Sequence, residues 1–189
     1  LGRRFEARAL SSLDSALARL LAAPSTQRSP DEVVMDKQAE VINRFNKVLS
    51  WELAGTIQYL HHHAMVSGLW REVYAEFFAD GSKEARKHAE LVADKIVALG
   101  GVPTVEPARI RQATTLEEML QAALDLEEAA LEAWTAVHAV AGDANLGTLF
   151  WVEEMISEEQ EHVDGLRKLL KDQSAAAKPK AAKSATKAG

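Results

Sequence analysis

ISEEQEHVDGL, residues 156 to 166, is the stretch on which the fold turns. Ile156, Val163 and Leu166 keep the spacing of a buried helical stripe, yet Glu159 and His162 fall on that same stripe. Three other stretches repeat the pattern. Val41, Phe45, Val48 and Leu49 define a stripe that continues through Glu52 to Tyr59, and Ala85, Leu91, Val92 and Ile96 define one that carries His88. Leu116, Leu120, Ala123 and Leu124 lead to Glu127, then to Leu131 and Trp134. Around Glu159 and His162 the fourth stripe holds Val152, Met155, Ile156, Val163, Leu166 and Leu169. Each ionisable group sits near the middle of its stretch, so antiparallel packing would bring all of them to about one level.

The punctuation between the stripes predicts four helices. Ser29-Pro30-Asp31-Glu32 reads as a capping box with proline at the first helical position, opening a helix that runs to about Ser67 and stops at Gly68. A second helix spans about Leu69 to Leu99 and ends at Gly100-Gly101 and Pro103. Thr115 with Glu118 opens a third that closes near Gly142, and a fourth covers roughly Asn145 to Asp172. Loops one-two and three-four are short, which makes those pairs antiparallel neighbours. Residues 100 to 114, GGVPTVEPARIRQAT, are long enough to cross from one end to the other. The expected fold is all-α, a four-helix bundle with one long crossover between helices two and three.

Composition bounds the chemistry. The chain has 189 residues, 47% hydrophobic and 26% charged, enough for one domain that folds by burial. It has no cysteine, so a bound metal would have to be held by nitrogen and oxygen. No apolar run approaches the ~20 residues of a membrane span, and the cytoplasm is the expected location. The net charge of −6 gives no general reason to expect nucleic-acid binding. The domain plan is an N-terminal extension over 1–29, the bundle over 30–172 and a Lys/Ala-rich tail over 173–189. The extension is Leu-, Ala-, Arg- and Ser-rich; it could form a short helix before Pro24, and Glu6 and Asp14 weigh against a transit peptide. The tail has four lysines and no acid. It reads as solvated and disordered rather than as a DNA tether, because so few lysines make few phosphate contacts.

Burying one unpaired carboxylate costs several kcal/mol, and three converging acids would consume most of a typical ~5–15 kcal/mol of stability. Something positive must sit between them. Protonated imidazoles could serve, but imidazole lone pairs beside carboxylate oxygens are also the donor set that a first-row dication requires. The adjacent His61, His62 and His63 are a weaker signal, since successive helical residues point about 100° apart and cannot converge on one ion. His63 continues the stripe of Glu52 and Tyr59; the set reads as one partly buried histidine and two at the surface.

EVINRFNKVLSWELAGTIQYL, EARKHAELVADKIVALGGVP, LEEMLQAALDLEEA and EEQEHVDGL resemble the four helices of bacterioferritin, in the ferritin-like superfamily, from about Met35 to Leu170. The resemblance implies iron oxidation and storage in a hollow homo-oligomeric shell, with Fe(II) and oxygen or peroxide as reactants. It implies Glu52 and Glu127 as terminal iron ligands, His88 and His162 as imidazole ligands, and Glu159 as a carboxylate bridging two irons. Tyr59 would hydrogen-bond a ligand carboxylate and could donate an electron, and His62 matches a histidine common in the family.

Two positions depart from the family pattern. Where the family carries a haem-ligating methionine, two residues before the second-helix histidine, this chain has Arg86, so no haem ligation of that kind is expected. The residue three before His88 is Ala85 where a bridging glutamate is usual, leaving three carboxylates for two dications and about one positive charge uncompensated. Glu84 is the nearest substitute ligand, rotated about 100° from Ala85, and a distortion at Gly81 could swing it inward. The centre then holds one or two metals, and ferroxidase activity is impaired to that extent. Three other readings follow: a structural subunit that co-assembles with a complete partner, a mini-ferritin that associates with DNA through its tail, and a rubrerythrin-like peroxidase, which would need a further carboxylate and often a cysteine-rich iron module.

Overall fold

The computed structural model describes residues 29–142 and 144–176. The extension before residue 29 and the tail beyond 176, including its four lysines, lie outside the described residues. By compactness the chain divides between Val34 and Met35, and the bundle is the unit that begins at Met35.

Four helices account for it: α1 (Pro30–Met65), α2 (Arg71–Ala98), α3 (Leu116–Ala141) and α4 (Leu146–Ala176). Their ends are set by local chemistry. Ser29 and Glu32 cap each other, with Glu32 N–H donating to Ser29 Oγ at 3.2 Å and Ser29 N–H to Glu32 Oε2 at 2.9 Å. Thr115 and Glu118 close the same reciprocal box at the start of α3. Asn145 Oδ1 accepts the Thr148 N–H at 2.8 Å at the start of α4. Gly68 and Gly100, beyond the ends of α1 and α2, take φ of 91° and 80°, a region that residues with a Cβ rarely enter. α4 outruns its expected end at Asp172, because Gln173-Ser174-Ala175-Ala176 contains no helix breaker.

Two apolar clusters show how the helices run. One joins Phe45 and Val48 of α1 with Val92 and Ile96 from the end of α2, Trp134 and Val137 from the end of α3, and Val152 and Met155 from the start of α4. The other joins the late part of α1 to early α2, early α3 and late α4, through Tyr59, Phe78, Leu120 and Val163 among others. Thus α1 opposes α2, α3 opposes α4, and α2 runs parallel to α3, as the long crossover demands.

That crossover is laced along α1. Asn46 holds it from both sides, donating to Val102 O at 3.1 Å and accepting the Thr104 N–H at 2.7 Å. Ser50 Oγ donates to Glu106 O at 2.9 Å, and Gln58 Oε1 accepts the Arg111 N–H at 2.7 Å. At its start Gly101 lies so close to α1 that a Cβ there would meet Ile42 Cγ2 at 2.6 Å.

Three details differ from the sequence expectation. Leu91 is 40% exposed rather than on the inward stripe, because its neighbour Val92 takes the core position. His62, not His63, continues the α1 stripe: it is fully buried and packs edge-on to Phe78 at 5.3 Å, while His61 and His63 are half-buried. Burial, and then the nearby His61 charge, lower the His62 pKa to about 4. Finally, α2 passes through Gly81 as continuous helix. What this glycine permits is close approach, since an added Cβ would stand 3.2 Å from the Tyr59 ring.

Candidate metal centre

The two apolar clusters are separated by a polar layer. Glu52, His88, Glu127 and Glu159 are all buried there, one from each helix, with His162 half-buried beside them. They form two overlapping groups, Glu52–His88–Glu159 and Glu127–Glu159–His162, each offering three ligand atoms within 4.8 Å of one another. Glu159 belongs to both. The histidines turn Nδ1 toward the acids: His88 Nδ1 is 3.1 Å from Glu159 Oε1 and 3.7 Å from Glu52 Oε2, and His162 Nδ1 is 3.6 Å from Glu159 Oε2 and 3.8 Å from Glu127 Oε2. Their rings lie nearly parallel, with centroids 6.4 Å apart.

Neighbouring side chains fix the carboxylates. Trp134 Nε1–H donates to Glu52 Oε1 at 3.1 Å, and the Tyr59 hydroxyl donates to Glu127 Oε1 in a short hydrogen bond. Behind the histidines stand two further acids, Glu158 Oε2 at 3.3 Å from His88 Nε2 and Glu84 Oε2 at 3.3 Å from His162 Nε2. Glu84 therefore reaches the centre at the outer nitrogen of His162 and is part of neither three-ligand group. Arg86 points away and pairs with Glu90 at 3.0 Å on the exposed face.

Sequence periodicity singles out neither Glu158 nor the indole of Trp134 as a polar partner. Glu158 had one available signal, since it precedes His162 by four residues just as Glu84 precedes His88.

The protonation of these groups follows from burial and mutual contact. Burial, relieved in part by His88, pushes Glu52 up to about 7, and burial also raises Glu127. Burial opposes charge on Glu159 as well, but the close imidazole of His162 and the hydrogen bond with His88 outweigh it and hold that acid down at about 2. For His88 burial opposes charge, yet its hydrogen bond with Glu159 and the nearby Glu52 carboxylate carry it up to about 10. His162 rises to about 11 through its contacts with the Glu127 and Glu159 carboxylates. The Tyr59 hydroxyl is raised well above its usual value by burial and then by the Glu127 charge.

Two imidazolium protons thus balance the acids, and a dication binding at Nδ1 must displace them. The donor set fits such an ion: carboxylate oxygens and imidazole nitrogens without thiolate, converging from facing helices, with Glu158 and Glu84 placed to orient the rings from behind.

A pH profile follows for chelator-treated protein. The raised histidines stabilise the fold fully below their ordinary 6.5, and that contribution is lost as pH rises through about 10 and 11. Glu159 stabilises above its ordinary 4.5 and loses this as pH falls toward about 2. The raised Glu52 adds a penalty that develops from 4.5 and is complete above about 7. Tm measured against pH is therefore expected to be highest on the weakly acidic side of neutrality and to fall at strongly alkaline pH. A His88→Gln, His162→Gln double variant should lose much of that alkaline fall; an identical fall in both proteins counts against the assignment.

The fold and these groups define a helical-bundle protein with a carboxylate–histidine centre between its helices. Comparison with known proteins agrees: the family model for the ferritin-like domain matches residues 42–175. The chain belongs to the ferritin-like family. A bacterioferritin of Desulfovibrio desulfuricans is 31% identical over 133 residues, covering 68% of this chain and 73% of that protein. A bacterial ferritin of Pseudomonas aeruginosa is 34% identical over 93 residues, 49% of this chain, and the match spans only 60% of that relative's length. Among solved structures, a ferritin-like, diiron-carboxylate protein from Bacillus anthracis superposes with a TM-score of 0.68 at 33% identity, over 71% of this chain and 97% of that one. Among the described residues no helix is long and apolar enough to cross a membrane.

Proposed function

We propose that this protein oxidises Fe(II) at its intra-bundle centre and stores the ferric product within a homo-oligomeric shell in the cytoplasm. The observation that carries this reading is the pair of three-ligand groups sharing Glu159 at the middle of the bundle. Its similarity to a bacterial ferritin, to a bacterioferritin and to a ferritin-like, diiron-carboxylate protein of Bacillus anthracis supports it.

Iron is the substrate here. Glu52 and His88 hold one Fe(II) and Glu127 and His162 the other, with Glu159 bridging. Two Fe(II) supply the two electrons that convert dioxygen and two protons to hydrogen peroxide, or hydrogen peroxide and two protons to water. Tyr59 and Trp134 keep Glu127 and Glu52 oriented through the change in iron charge. Glu158 and Glu84 stand 3.3 Å from the outer nitrogens of His88 and His162, negative charges that favour a proton there and leave Nδ1 to the metal. Glu84 would become a ligand only by leaving His162.

A second reading, a structural subunit that assembles with a complete partner, is favoured by Ala85. Anaerobic Fe(II) titration separates the two. The expected result is one iron per subunit retained at near-stoichiometric concentration, a second only at higher concentration, and conversion to Fe(III) when oxygen is admitted. Failure to retain any Fe(II) overturns the proposal in favour of the structural subunit.

A further inference from the structure

The centre repeats itself across the bundle, and the repeat is broken at one place. Glu52 on α1 answers Glu127 on α3, His88 on α2 answers His162 on α4, and Glu158 and Glu84 stand at the same 3.3 Å behind the opposite histidine. Three residues before His162 is Glu159; three before His88 is Ala85.

Ala85 is buried and lines a cavity of about 530 Å³ that also reaches Glu52, Glu127, Glu159 and both histidines. Small residues widen the cavity, with Gly81 on the same helix and Ala130 and Gly165 on the others. The Ala85 Cβ also packs against α1, since a Cβ added at Gly55 would stand 3.1 Å from it.

We propose that the metal-loaded centre completes itself with a small exogenous carboxylate seated against Ala85, in the place where the bundle's own repeat calls for a fourth acid. The inference rests on the two-metal reading above. Two dications facing three carboxylates leave about one positive charge in a low-dielectric pocket, and an anion relieves it. Acetate has the size of the CH2–carboxylate unit by which glutamate exceeds alanine. The cavity rim carries Asp80, Glu84 and Glu161 beside Lys168, a predominantly acidic entrance, so the anion enters only after the cations have bound.

The test uses Co(II), whose visible absorption reports its ligands without oxygen chemistry, titrated into chelator-treated full-length protein in chloride buffer with and without millimolar acetate. The expected result is a second Co(II) that tightens at least about fivefold with acetate, an altered visible spectrum, and reciprocally a rise in Tm with acetate only when Co(II) is present. Ala85→Glu should take the second Co(II) tightly with no acetate response. Ala85→Leu, which fills the space without an acid, should also lose the response and serves if the glutamate variant fails to fold. Indifference of the wild type to acetate while Ala85→Glu binds two Co(II) overturns the proposal and leaves the two-metal reading standing. A second Co(II) bound by neither protein removes both, and an undiminished acetate response in Ala85→Leu refutes the seat against Ala85.

Discussion

Glu159→Gln is expected to abolish the tight metal binding, to weaken both groups together and to reduce Fe(II) oxidation at least about 100-fold, since even outer partners of metal ligands typically cost 10–100-fold when removed. Glu159 is the one side chain common to the two groups. Its Oε1 faces His88 and its Oε2 faces His162, so neutralising it deprives each ion of an anionic donor and separates the two coordination sets. The loss should appear in stability as well as in turnover. A metal at 100 times its Kd stabilises a fold by about 2.7 kcal/mol, and that increment, read as the Tm difference between metal-loaded and chelated protein, should nearly vanish in the variant. Glu127→Gln provides the contrast, because Glu127 serves only one group and one metal equivalent should survive its replacement. If Glu159→Gln bound both the tight and the weaker metal as the wild type does, the shared-carboxylate arrangement would be wrong however the activity behaved.

Much of the fold is legible in the sequence because its determinants act within one helical turn. The Ser29–Glu32 and Thr115–Glu118 boxes and the stops at Gly68 and Gly100 involve residues a few positions apart. The mid-stripe acids are legible for a related reason: a period of 3.6 carries Glu52, Glu127 and Glu159 inward together with the apolar residues around them. What requires the folded chain is information held across the bundle. Leu91 keeps helical spacing, yet neighbouring helices do not cover its face fully, and spacing alone does not report how wide that cover is. His62 and His63 differ by one 100° step, so small phase drift along α1 decides which is buried. Gly81 reads as a helix weakness, whereas its role depends on the Tyr59 ring arriving from α1. Glu158 lies on the flank of its own stripe, and its significance comes from His88 on the other side of the pocket.

Ala85→Glu is the complementary experiment, expected to gain function where Glu159→Gln loses it. The substitution places an acid three residues before His88, matching Glu159 before His162, and raises the carboxylate count at the centre from three to four. With two dications the local charge then balances, and the second Fe(II) should bind about 10-fold or more tightly, a change of only about 1.4 kcal/mol and small beside the several kcal/mol at stake in a buried uncompensated charge. Oxidation at low Fe(II) should accelerate by a similar factor, because transfer of two electrons to one oxidant requires both irons in place. The same acid should burden the chelated protein: a fourth carboxylate beside Glu52, already pushed up to about 7, adds repulsion, so the metal-free Tm should fall while the metal-loaded Tm rises. These opposed shifts distinguish a completed metal centre from a general change in packing, which would move both melting temperatures the same way. Fe(II) stoichiometry and oxidation rate unchanged in a folded Ala85→Glu protein would show that Ala85 does not face the reacting metals.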